Sequence, residues 1–147
     1  MSMKRAQRQI LFHGLIVVLV GLLCGVPYGQ AITHGWGEEA VRGWRLAHFS
    51  LVFGGIWLLV VAAVSHLLVL SRRGITILVC SVVTAGYAFT LALIVAATSG
   101  VRGLEATGPV LNLVAFVGNI VASLASLVWV AVSLVGAVRA LREGDPG

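Results

Sequence analysis

The stretch Arg42-Gly43-Trp44-Arg45-Leu46-Ala47-His48-Phe49-Ser50-Leu51-Val52-Phe53-Gly54-Gly55-Ile56-Trp57 sets two arginines and a tryptophan at the mouth of a long apolar run, with His48 a short way inside it. Basic and aromatic residues in that arrangement belong at the headgroup level of a bilayer, and the apolar run beyond them belongs in hydrocarbon. An ionisable side chain carried into such a run is costly, so it ordinarily faces the protein interior and serves a ligand or a pathway. His48 is therefore the first candidate metal ligand, and a membrane is the first candidate solvent.

Composition agrees. The chain is 59% hydrophobic with mean hydropathy +1.05 and only 10% charged residues, against roughly 25% charged in soluble domains. Its 147 residues read as one integral membrane domain, residues 1–147, without a linker or a low-complexity tract. The net charge of +5 and pI of 10.3 come from short basic clusters beside apolar runs. That is the positive-inside pattern, which excludes nucleic acid as the partner and names the lipid bilayer instead. Cys24 and Cys80 fall inside apolar runs, where free cysteine acts as a small hydrophobe, so no disulfide is expected.

Upstream of the quoted stretch, Lys4, Arg5 and Arg8 precede an apolar run from about residue 10 to residue 26, closed by Pro27 and Gly29. A secretory signal has an apolar region of only about 7–15 residues, so this run reads as an uncleaved first helix. Its Gly21 and Gly25 form a small-xxx-small pair that lets another helix approach. Residues 28–42 read as a polar loop, and Ser71-Arg72-Arg73-Gly74 as a basic turn closing the second helix. Downstream, residues 99–108 form a second loop before Pro109 opens the last helix. The expectation is an all-α four-helix membrane bundle, helices at about 9–28, 44–71, 75–98 and 109–141, running up-down-up-down. Lys4, Arg5, Arg8, Arg72, Arg73, Arg139 and Arg142 then lie on one side, and Arg42, Arg45 and Arg102 on the other. This bias puts both termini in the cytoplasm, in a bacterial-type inner membrane.

Several polar residues enter the hydrocarbon. His48 and His66 are 18 residues apart, which brings them to one helical face about 27 Å apart. His13 is expected at the depth of His66. The two either bond across helices or snorkel as interfacial residues, or together hold a second ligand. Asn112, Asn119, Ser126 and Ser133 recur at a seven-residue step, the pattern of a packing seam. Asn119, near mid-membrane, is a candidate for orienting a substrate, and Tyr87, between Thr84 and Thr90, is a second catalytic candidate or else a structural hydrogen bonder. The chain has no HExxH, Cys-x-x-Cys, P-loop or GxSxG motif and no pair of intramembrane carboxylates. These absences exclude the matching hydrolase, redox and nucleotide chemistries, and also a carboxylate proton relay.

Phe12-His13-Gly14, Gly43-Trp44, Ala47-His48, Arg102-Gly103-Leu104 and Gly108-Pro109 together resemble, in order and spacing, the small membrane isomerases of the styrene oxide isomerase family and, more distantly, hydroxylaminobenzene mutase. The resemblance implies ferric haem b with His48 as its axial ligand, in a membrane-embedded homotrimer. It further implies a Meinwald rearrangement of a small lipophilic epoxide to an aldehyde, or conversion of an N-arylhydroxylamine to an aminophenol. Trp44, Arg45, Arg102, Gly54 and Gly55 become the candidate cofactor contacts, although interfacial anchoring explains Trp44 and the two arginines equally well. Two positions depart from the resembled enzymes: Gly54 stands where they have an asparagine, and Leu93 where they have a catalytic tyrosine. Two alternatives stay open beside the isomerase. One is a transmembrane haem b electron carrier, with His48 near the outer surface and His13 plus His66 clamping an inner haem; the other is a haem-free membrane scaffold.

Overall fold

The computed structural model describes residues 1–143. Every regular element among them is helical: α1 (Met3–Leu23), α2 (Gly25–Thr33), α3 (Glu38–Val64) continued by a 3₁₀ turn (Ser65–Leu67), α4 (Arg72–Ser99) and α5 (Val110–Glu143). Four stretches are long and apolar enough to cross a membrane: Met3–Thr33, Glu38–Leu67, Arg72–Ser99 and Val110–Glu143.

The helix bounds differ from those the sequence pattern placed: the first span runs on to Thr33 and α3 starts at Glu38, whereas the second span stops at Leu67 and not at residue 71. Pro27 and Gly29 do not end the first span. It breaks at Cys24 alone and resumes as α2, with Pro27 in the first turn. Proline there lacks an N–H that would have no helical partner anyway, so it shifts the chain into a new helix instead of stopping it. The expected polar loop therefore shrinks to His34–Gly37, where Gly35 and Gly37 take the positive φ values of 64° and 93° that L side chains avoid. α3 then opens with Glu38 and Glu39 in its first turn, where carboxylates favour the helix dipole, and Glu39 lies 3.7 Å from Arg42 one turn on.

The basic turn is also relocated. The second span ends in the 3₁₀ turn, the extended segment after it bonds back through Val69 N–H to the Gly136 carbonyl, and Arg72 and Arg73 begin α4. Ser71 caps that helix, its hydroxyl accepting from Gly74 N–H at 3.2 Å.

Packing is uneven. α1, α3 and α4 each touch the other two, whereas α5 rests on α4 and on the 3₁₀ turn, and does not approach α3. The closest crossing is antiparallel, α1 on α3. A Cβ on Gly21 would stand 2.6 Å from Val52 N, one on Gly55 2.7 Å from Val18 N, and one on Gly14 2.9 Å from Leu59 Cδ2. Only glycine permits such an approach, as the small-xxx-small pattern anticipates. α5 buries Gly118 against Ala88 and Ala92 of α4 and Ala115 beneath Gly103 of the loop, with Ala122 also buried. The seven-step polar series is therefore not the seam itself, because the chain's smaller residues take the contact.

Candidate functional site

His48 sits in α3 opposite the break between α1 and α2. Its Nδ1 lies 2.8 Å from the carbonyl oxygen of Gly21. A carbonyl only accepts, so in the neutral ring Nδ1 carries the proton and Nε2 keeps its lone pair for a metal. Metal-binding histidines are commonly held this way, the second nitrogen fixing ring orientation. A Cβ at Gly25 would lie 3.1 Å from the imidazole, so that glycine leaves the ring its place. Tyr28 stacks beside His48 at 6.2 Å between ring centroids, and Phe49 meets it edge-on at 5.0 Å.

Neither Tyr28 nor Gly21 was assigned to this site from sequence, because Pro27-Tyr28-Gly29 read as a helix end. The signal was present nonetheless: Gly14, Gly21 and Tyr28 succeed each other at seven-residue steps, one face of a helix that continues.

The remaining candidates separate into groups. Trp44 precedes His48 by one turn and packs against the cluster of Val17, Cys24, Ala47, Leu51, Leu93 and Ala97. Arg45 is exposed and lines a separate cleft with Ala31, Ile32 and Val41. Gly55 is shut inside the α1–α3 crossing, where helix contact accounts for it completely. Gly54 lies six residues past His48, a turn of about 240°, and lines a cavity of about 720 Å³ between α3, α4 and α5. An adjoining cavity of about 640 Å³ is lined by Leu93, Arg102 and Asn119. The two share Phe89 and Ser123, and His48 lines neither. They form one groove on the far side of α3 from His48.

Asn119 donates to the Gly103 carbonyl at 3.0 Å, and Asn112 accepts from Gly103 N–H while donating to the carbonyls of Glu105 and Thr107. Both amides thus pin the loop between α4 and α5. Tyr87 does not share the groove with Asn119; its hydroxyl lies 2.9 Å from His13 Nδ1.

His13 and His66 are not level. The α1–α3 register pairs Gln7 with Ala62, through a 3.1 Å bond to its carbonyl, and Gly14 with Leu58 and Leu59. His66 in the 3₁₀ turn therefore lies about two turns, roughly 12 Å, from the level of His13, and its Nδ1 bonds the Ala63 carbonyl instead. The expected matched depth fails because α1 begins at Met3, which carries His13 deep into the helix. Among the described residues no group of three or more His, Cys, Asp or Glu side chains could hold a metal ion.

The family model of styrene oxide isomerase matches residues 6–138. The chain belongs to that family. No curated protein and no solved structure matches it. Membership in the styrene oxide isomerase family suggests a membrane isomerase, in keeping with four spans long and apolar enough to cross a membrane.

Proposed function

We propose that this protein is a haem b-dependent isomerase of a small, apolar, oxygen-bearing substrate, rearranging an epoxide to an aldehyde or an N-arylhydroxylamine to an aminophenol. The observation that carries the reading is the orientation of His48: one nitrogen committed to the Gly21 carbonyl, the other free, and Gly25 clearing room for the ring. When bound, ferric haem supplies a Lewis acid that polarises a substrate oxygen without changing redox state. In this reading His48 Nε2 would hold the iron, the Gly21 carbonyl would fix the tautomer, and the rings of Tyr28 and Phe49 would keep water from the imidazole. Trp44 and Arg45 stand one turn nearer the membrane surface, suited to haem propionates.

The groove supports an oligomer in the same reading. Gly54 and Leu93 hold the positions where the resembled enzymes carry their asparagine and tyrosine; both line the groove, which His48 does not, and Leu93 also packs in one cluster with Cys24, Ala47 and Leu51. In this reading two copies would share a site, one giving His48 and the other its groove, as in a homotrimer. With glycine and leucine at the two positions, the groove favours an apolar substrate over one held by polar groups. The basic residues at the start of α1, the start of α4 and the end of α5 support a single transmembrane domain with both termini in the cytoplasm of a bacterial-type cell.

The electron-carrier reading has lost its inner pair, since His13 and His66 are on different levels with different partners. Absorption spectra of the detergent-purified protein, oxidised and reduced, with haem quantified per chain, test the proposal. One haem per chain is expected, falling at least tenfold in His48→Ala. Full haem retention in that variant sinks the assignment.

A further inference from the structure

The His13–Tyr87 pair joins α1 to α4 well inside the membrane, away from the surroundings of His48. His13 is ten residues past the start of α1, roughly 15 Å along the helix. It is also twelve residues short of Gly25, the level of His48, or about 18 Å away along the axis. His13 is half-buried, while Tyr87 is 38% exposed on the outer surface of the bundle. The rings meet edge-on at 5.5 Å, and Phe12 flanks His13 at 5.3 Å.

Hydrogen-bond arithmetic makes this pair incomplete. If the tyrosine hydroxyl donates to Nδ1, the histidine carries its proton on Nε2. If Nδ1–H donates to the tyrosine oxygen, the phenolic O–H is left over. Among the described residues neither Tyr87 Oη nor His13 Nε2 has another hydrogen-bond partner. Each neutral tautomer therefore presents one unmet donor to hydrocarbon, and protonating the imidazole adds a second. Elsewhere in these helices Thr76, Ser81, Thr90, Thr98 and Ser99 all satisfy their hydroxyls on a carbonyl one turn back. Tyrosine at this depth has no such local route, and an unmet donor in the bilayer core is expensive.

We infer that the His13–Tyr87 pair is a binding site for an uncharged lipophile carrying one acceptor oxygen, a ketone, aldehyde or epoxide on an apolar and preferably aromatic frame, which reaches it from the bilayer. The pair supplies the donor and Phe12 an aromatic wall. Lipid ester carbonyls stay at headgroup level, whereas a small neutral lipophile partitions to the depth of His13. The site is separate from the one at His48 and does not rest on haem being bound.

Benzophenone is a suitable probe, being both an aromatic ketone and a photolabel that inserts into nearby C–H bonds. In lipid nanodiscs holding the full-length protein, saturable labelling of α1 and α4 around Phe12 and Tyr87 is expected, mapped by peptide mass spectrometry. The double variant His13→Leu/Tyr87→Phe should lower it at least fivefold, and His48→Ala should leave it unchanged. A competition in the wild-type protein is independent of any effect on folding: acetophenone should suppress the labelling, and ethylbenzene, the same frame without the oxygen, should not. Equal suppression by both competitors overturns the inference, as does equal labelling in the double variant. So does an unlabelled pair that becomes labelled only when copies of the chain are separated, because the donor would then belong to a subunit contact.

Discussion

The two faces of α3 are built on opposite principles. Toward α1 the helix lies so close that Gly14, Gly21 and Gly55 have no room for a Cβ, and His48 sits at the end of that crossing. Toward α5 the helix meets nothing, and a groove opens over α4 instead. In a bilayer, lipid tails are as apolar as the side chains, so association relies on close packing more than on hydrophobic burial. The glycine crossing supplies rigidity around His48, whose ring is held against the Gly21 carbonyl. The groove supplies accessible apolar volume over α4.

Adjacent glycines offer the sharpest way to break this comparison. Gly55→Ala drives a methyl into Val18 and should destabilise the protein by about 3 kcal/mol, the upper range for overpacking, read from the midpoint of denaturant unfolding in detergent. Gly25→Ala brings a methyl to 3.1 Å from the His48 ring, which must give by a few tenths of an ångström and so loosens its bond to the Gly21 carbonyl. Haem affinity is expected to fall about tenfold, the lower range for loss of a ligand's supporting contacts, as measured by haem titration of apoprotein. Asn112→Ala removes three hydrogen bonds from the loop beside the groove. About 1 kcal/mol of stability should go with them, because water replaces part of the loss at this exposed site; faster backbone hydrogen exchange over residues 100–109 would report it. Gly54→Ala, with nothing within 4 Å of the new methyl, should change stability by no more than about 0.5 kcal/mol, or raise it slightly through helix propensity. If Gly54→Ala proved as damaging as Gly55→Ala, the groove would be closed in the native assembly.

Local rules carried the sequence reading a long way at some residues and misled it at others. His48 stood out because an imidazole in an apolar run is rare and costly. The companions of His48 were hidden by Pro27 and Gly29, which signal a helix end when weighed alone and permit a continued helix once the first-turn position of Pro27 is known. His13 and Tyr87 were each noticed, yet nothing in either segment showed that they meet, since 74 residues separate them. Asn119 was picked out as a buried amide needing partners, and its partner is a loop carbonyl sixteen residues back in the chain.

The sequence by itself determined the solvent, the number of spans and the singular position of His48, because hydropathy and the penalty for ionisable groups in hydrocarbon act residue by residue. Only the tertiary structure decided which side of each helix meets which neighbour. It joined His48 to Gly21, parted Gly54 from His48, and placed Tyr87 against His13. In a chain apolar on nearly every face, helix rotation and register are set by where glycine permits backbones to touch, and that depends on both helices at once.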